Sequence, residues 1–266
     1  MRSQVSVSLN GVALTDVDER ILLQRVDEAA PSVSQNTVGL ANGIGQIVTS
    51  TERQYMDISI GFAIGIPRDL TRRAEILDKV TAWAANGGLL EVSYRPGKQL
   101  RVMMVQQLAV GYIREWTEEY TLVLRAFIPF WEDVTPHVVP SNRFKDHVIE
   151  IKKITWTAET PLDVSALSIA DPGNVMTMVR ITIGTQVLEY SGFEMLTGDT
   201  LRIWHNDAGL LMADITHAAD GSIESIYGLR TAASADDLLL PVAPCGVRVE
   251  SDRLCNWTLS IRGRYL

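Results

Sequence analysis

Cysteine and histidine are scarce: 266 residues include two cysteines, Cys245 and Cys255, and four histidines, His137, His147, His205 and His217. CxxC, HExxH, GxSxG and GxxxxGK[ST] motifs are all missing, which removes the usual frames for zinc, thiol, serine-hydrolase and nucleotide chemistry. The one metal-ligand set the histidines offer, His205 and His217 with Asp207 or Asp214, is outweighed by the ordinary reading of histidines at strand ends. Two cysteines permit one disulfide, although two reduced, partly buried thiols are favoured in a cytosolic product of this size. No apolar run approaches the roughly 18 residues of a membrane helix. The opening MRSQVSVSLNGVAL lacks the apolar stretch of a secretory signal. Positive charge is also in deficit, 24 Lys and Arg against 32 Asp and Glu for a net charge of −8, which weighs against phosphate-backbone binding. The only basic cluster, Arg68, Arg72, Arg73 and Lys79, is interleaved with Asp69, Glu75 and Asp78 and reads as a solvated helix face.

What is present is material for a folded protein: 46% hydrophobic and 21% charged residues, far from the composition of disorder. Tyr55 to Ile66 is the clearest strand, with Met56, Ile58, Ile60, Phe62, Ile64 and Ile66 on one face. Pro67 ends it, and Asp69 is placed to cap a helix in which Ala74, Leu77, Val80, Trp83 and Ala84 recur at helical spacing. Asn86-Gly87-Gly88 stops that helix. Further strands are expected at Gln4–Leu9, Arg20–Val26, Leu89–Tyr94, Leu100–Ile113 and Glu119–Ile128, with a hairpin about Arg95-Pro96-Gly97. Asp27 to Gln54, rich in Ser, Thr, Asn, Gly and Gln, is too long for an ordinary loop; it is either a projecting hairpin or a segment ordered by a partner.

Pro129, Pro136 and Pro140 interrupt the pattern, and a domain boundary is expected near residue 135. Beyond it the chain reads as all β, with short strands at Val148–Trp156, Val175–Ile183, Val187–Tyr190, Thr200–His205, Leu210–Ile215, Ile223–Tyr227, Leu238–Leu240, Gly246–Glu250 and Trp257–Arg262, the signature of a sandwich. The last of these alternates cleanly, with Trp257, Leu259 and Ile261 on one face, so the chain is expected to end inside its own sheet. The small acidic cluster Asp16, Asp18 and Glu19 lacks the fixed glycine and distal Glu of a calcium loop and reads as a solvated turn. Trp204, His205 and Asn206 are the most ligand-like group, an aromatic platform beside two hydrogen-bonding side chains. The plainer reading puts Trp204 in the core and the other two at a strand cap.

With these residues assembled, the chain resembles the distal tail proteins (Dit) of long-tailed bacteriophages, a siphovirus tail-component family. The resemblance rests on element order over essentially the whole length: opening strands, the polar segment with Gly43 and Gly45, the Met56–Ile66 strand, the helix ending in TAWAANGG, GLLEVSYRPGKQL, TLVLRAFIPFWED, then GLLMADI, DLLLPVAPCGVRVE and SIRGRYL. It implies a mainly β protein, with an N-terminal β-sandwich or barrel domain containing one α-helix, tail-tube-like, over 1–135, and a galectin-like β-sandwich over 136–266. It further implies a homo-hexameric ring between the tail tube protein above and the tail-associated hub or tip protein below, with a channel for DNA. Side-fibre or receptor-binding proteins are implied as partners of the C-terminal domain. Sequence-specific nucleic acid binding, membrane insertion, catalysis and cofactors are not. The expected location is the distal end of the virion tail, after synthesis in the cytoplasm of a bacterial host. A ring needs two different surfaces meeting head to tail, and the polar segment, with Asn36, Asn42, Gly43 and Gly45, is the candidate interface. The sequence departs from the galectin sugar motif: His205 and Asn206 are adjacent, and Asp207 and Ala208 follow where that motif carries an Arg. A carbohydrate-binding module for host-surface recognition, using Trp204, His205 and Asn206, is the alternative, and a hydrolase ranks third for want of a paired acid and base.

Overall fold

The computed structural model describes residues 5–39, 45–65, 69–106, 108, 119–153, 155–169, 173–232 and 234–266. The chain divides into two compact units, Met1–Glu132 and Asp133–Leu266. No helix among the described residues is long and apolar enough to cross a membrane.

In the first unit the elements run β1 (Val7–Leu9), β2 (Val12–Ala13), α1 (Leu14–Val17), β3 (Ile21–Glu28), β4 (Val33–Gly39), β5 (Gln46–Arg53), β6 (Met56–Ile64), α2 (Leu70–Ala85), β7 (Gly88–Val92), β8 (Lys98–Gln106) and β9 (Glu119–Ala126), with β10 (Trp131–Asp133) at its end. The strands pair antiparallel in the order β2-β1-β7-β8-β9-β6-β3. β6 lies between β9 and β3, and Met56, Ile58, Ile60, Phe62 and Ile64 are all buried, as their period of two dictates. Ile66 and Pro67 lie outside the described residues, as do residues 107 and 109–113 of the strand expected to reach Ile113. α2 begins where expected: the Asp69 carboxylate accepts from the Arg72 amide at 2.9 Å. Its buried stripe is Ile76, Leu77, Val80 and Ala84, and it lies against β8. At its end Gly87 takes φ +60°, and a Cβ there would stand 2.3 Å from the Val102 carbonyl oxygen, so strand β8 passes too close for any side chain.

Two expectations in this unit are corrected. The acidic cluster is solvated only in part: Asp16 and Glu19 are exposed, and Asp18 is not. It straddles the short helix α1, and the Asp18 side chain is buried against Lys79 Nζ at 3.2 Å, Arg20 Nη1 at 3.4 Å and Arg72 Nη2 at 3.7 Å. The helix face carrying Arg72 and Lys79 is therefore partly committed to Asp18, and Arg73 is itself buried.

The second unit contains β11 (His137–Ile151), β12 (Thr160–Ser168), β13 (Met176–Ile183), β14 (Gln186–Met195), β15 (Thr200–His205), β16 (Leu211–Thr216), β17 (Ile223–Ser225), a 3-10 turn (Tyr227–Leu229), β18 (Leu239–Leu240), β19 (Cys245–Ile261) and β20 (Arg264–Tyr265). Their order is β14-β13-β19-β12-β15-β16-β17, with β11 beside β19 and β18 beside β12. β19 organises the unit. Val247–Ser251 pair with β13, Cys255–Ile261 pair with β12, and β11 follows its other side along both stretches. The antiparallel sheet thus curls around one core, in which Trp257, Leu259 and Ile261 are fully buried beside Val164, Ile181, Tyr190 and Leu201. Cys245 and Cys255 are unpaired; burial pushes the Cys255 thiol up to about 11.

Three expectations are corrected here. The proline-bearing stretch placed in the linker is most of strand β11; Pro140 is accommodated because β11 pairs with β19 alone, leaving its missing N–H on the open side. The strand β12 is an addition: Leu162, Val164 and Ala166 alternate inward, but Pro161 and three serines or small residues disguise it. The two short strands at Gly246–Glu250 and Trp257–Arg262 are parts of the single strand β19.

Candidate assembly surface

β4 and β5 stand apart from the main sheet. Among the described residues they pair only with each other, with Val33 opposite Arg53, Asn36 opposite Ser50 and, after a bulge, Val38 opposite Ile47. The described strands of the polar segment thus form an antiparallel pair, and their described side chains are exposed or half-exposed. Val38 is 58% and Ile47 55% exposed on one face, while Val48 is 49% exposed on the other. A lone two-stranded ribbon is at best marginally stable in water. Both of its outer edges offer unpaired backbone groups, and no charged residue occurs from Val33 to Gly39 or from Gly45 to Thr51. Strand edges that must stay unpaired are normally blunted by charge, proline or bulges. β11, the long edge of the second unit, has all three: Arg143, Lys145 and Asp146, Pro140, and two register shifts. The hairpin edges have one bulge, and their charges, Glu52 and Arg53, stand together at the root end of β5.

Of the residues named for this surface, Asn36 donates from Nδ2 to Ser50 Oγ at 2.8 Å, and its carbonyl accepts from Thr49 Oγ1 at 3.1 Å, closing the bulge. Gly45 takes φ +94° where the chain enters β5. Asn42 and Gly43 lie outside the described residues.

The root of the hairpin is built differently from its length. Backbone bonds carry the β3–β6 ladder outward, Ala29 N to Asp57 O at 2.9 Å and Ser32 N to Tyr55 O at 2.7 Å. At the end of β3, Glu28 accepts from Arg95 Nε at 3.0 Å and Nη2 at 2.7 Å, and from Trp131 Nε1 at 3.2 Å. The guanidinium of Arg95 lies 5.1 Å over the fully buried Trp131 ring. Burial alone would raise the Glu28 pKa; hydrogen bonds from Arg95, Tyr94 and Trp131 outweigh it and hold the carboxylate below its usual range. After β5, Arg125 makes the same fork on Asp57, at 2.7 and 2.9 Å, and its guanidinium stacks 3.9 Å over Tyr55. The Arg125 hydrogen bonds hold Asp57 low. Neither cluster is visible in the sequence, since each joins residues 67 or 68 positions apart.

Trp204, His205 and Asn206 each have their own partners. Trp204 Nε1 donates to Asp214 Oδ2 at 3.1 Å, and Arg202 stacks 4.7 Å over its ring. The His205 side chain, 8% exposed, bridges Asp163 at 3.0 Å through Nδ1 and Asp237 at 2.6 Å through Nε2. Burial pulls its pKa down, but the two carboxylates prevail and push it up to about 9, so the ring is an imidazolium with both N–H groups donated and no lone pair for a metal. Asn206 Oδ1 accepts from the Ala208 and Leu210 amides, both at 3.0 Å, capping the turn. His217 is held separately between Asp199 at 3.0 Å and Glu224 at 3.3 Å. No group of three or more His, Cys, Asp and Glu suited to a metal occurs among the described residues.

No protein-family model and no curated protein sequence matches the chain. Solved structures do. The baseplate of phage P2 in its activated conformation aligns with 98% of this chain and 97% of its own at 8% identity and a TM-score of 0.46 with calcium, and with 97% of each at 9% identity and 0.46 with strontium. The Dit protein (gp 19.1) of phage SPP1, described as a paradigm of the hub adsorption apparatus in phages infecting Gram-positive hosts, aligns with 98% of this chain and 99% of its own at 11% identity and a TM-score of 0.69. The chain thus has the fold of SPP1 Dit from end to end.

Proposed function

We propose that this chain is a structural distal tail protein of a long-tailed bacteriophage, six copies of which close into a ring joining the tail tube to the tip or baseplate hub and leaving a channel for DNA. The observation that carries the reading is the match to SPP1 Dit over 98% of the chain at a TM-score of 0.69: both units are accounted for, in order, by one protein. In this reading Met1–Glu132 is the ring-forming unit, and Asp133–Leu266 is a galectin-like sandwich that faces outward and takes side-fibre or receptor-binding proteins. The role is one of assembly rather than catalysis. The exposed hairpin, free of charge over Val33–Gly39 and Gly45–Thr51, supports it independently, because a ring of identical subunits needs a surface that finds its complement only on a neighbour. The net charge of −8 suits a conduit through which DNA must pass without adhering.

The hairpin gives the direct test. Val38→Asp with Ile47→Asp places two charges on residues that are already exposed, so the isolated subunit should keep its stability within about 0.5 kcal/mol. Light scattering should show wild-type assemblies and variant monomers at the same concentration. In hydrogen exchange, residues 33–39 and 45–53 should exchange rapidly in the monomer and slowly in the ring. Wild-type assembly by the variant, or equal protection in the two states, counts against the hairpin as the ring contact.

A further inference from the structure

Among its described residues the hairpin has none buried to hold its angle, yet its root carries two clamps of one chemistry. In each, an arginine forks onto a carboxylate and stacks on an aromatic ring: Arg95 on Glu28 and Trp131, Arg125 on Asp57 and Tyr55. Glu28 ends β3 and Asp57 lies in β6 directly opposite Arg125 of β9, while Arg95 comes from the turn between β7 and β8, so the two forks fix the points where the chain leaves the main sheet for the hairpin and returns through Tyr55. Beside them the connection has backbone bonds at Ala29 and Ser32, flanking Pro31, which has no N–H to give, and the looser stacking of Arg53 6.0 Å over the Phe130 ring.

The lever arm makes the angle matter. A hairpin of this length reaches about 25 Å, so a tilt of about 10° at the root moves its tip about 4 Å, most of the strand spacing of about 4.8 Å. An edge displaced that far misses the backbone groups it should meet. We propose that Glu28, Arg95, Trp131, Asp57, Arg125 and Tyr55 are positioning residues for assembly: they fix the hairpin's angle before it meets a second copy of this chain. Association then has to order the hairpin's strands but not the direction in which they leave the sheet, and that part of the ordering cost is removed beforehand by pre-organisation. The proposal rests on the ring reading above and adds to it the residues that aim the contact without touching the neighbour.

The test uses the full chain with Arg95→Lys and Arg125→Lys together. Lysine keeps the charge and loses the planar fork and the stacking. Assembly is followed against concentration by mass photometry, with hydrogen exchange in β6 and β9 reporting the sheet. The expected result is at least a tenfold rise in the concentration for half-assembly, with β6 and β9 as protected as in the wild type, and partial recovery when either arginine is restored. If the double variant opens the sheet, Glu28→Gln, which keeps shape and an acceptor oxygen, is measured for the same rise. An unchanged midpoint in a folded variant overturns the proposal and leaves the ring reading standing. A wild type that never assembles overturns both.

Discussion

Trp257→Ala should destabilise the Asp133–Leu266 unit by about 3–5 kcal/mol, the cost of emptying a large aromatic side chain from a packed core. Trp257 is fully buried in the half of β19 that pairs with Ala166 on one side and Ser141 on the other. Its Nε1 donates to the Phe144 carbonyl at 3.2 Å, next to the register shift in β11. The substitution therefore removes packing and also the side-chain bond that holds the irregular part of the edge strand. Against a typical domain stability of about 5–15 kcal/mol, the loss leaves a marginal unit. Trp257→Phe retains most of the volume and should cost well under half as much. Denaturant unfolding followed by circular dichroism measures both; a loss below about 1 kcal/mol for the alanine variant would mean that β19 is not the centre of the core.

The second large effect is a pH dependence centred on His205. With a folded-state pKa of about 9 against 6.5 for the free side chain, the native state holds a proton that the unfolded chain has released throughout that interval. Stability from this clamp is complete below about pH 6.5 and falls as the pH rises towards 9. The shift corresponds to about 2–3 kcal/mol, allowing for carboxylate partners that are partly open to water. The imidazolium ties β15 to Asp163 of β12 and to Asp237 just before β18, so its loss should loosen that side of the sheet. Urea midpoints at pH 6 and pH 9.5 should differ strongly in the wild type, whereas His205→Asn should lower stability at pH 6 and flatten the dependence. Parallel pH curves for the two proteins would assign the change to other groups.

The parts of the fold legible in the sequence are those fixed by neighbours along the chain. β6 follows from six apolar positions at period two, α2 from its stripe and the Asp69 cap, and the end of β19 from Trp257, Leu259 and Ile261. Elements defined by distant partners are harder to read. β12 is short of bulky residues because Ala166 and Ser168 face a core filled from across the sheet, and β11 carries Pro140 because its outer edge has no partner. For the hairpin, the sequence leaves two readings open because neither face is buried, so no apolar period marks its strands. The root clamps are invisible for a different reason: Glu28 and Asp57 are single charges at ordinary strand positions until the fold brings Arg95 and Arg125 to them. Trp204, His205 and Asn206 stand together in sequence, and their side chains diverge to Asp214, to Asp163 and Asp237, and to the turn amides.

The most direct measurement is electron microscopy of the purified full chain, with two-dimensional averages examined for rotational symmetry. Six-fold rings around an open channel are the expected result. A uniform field of monomers at concentrations well above those of tail assembly would contradict a self-closing ring.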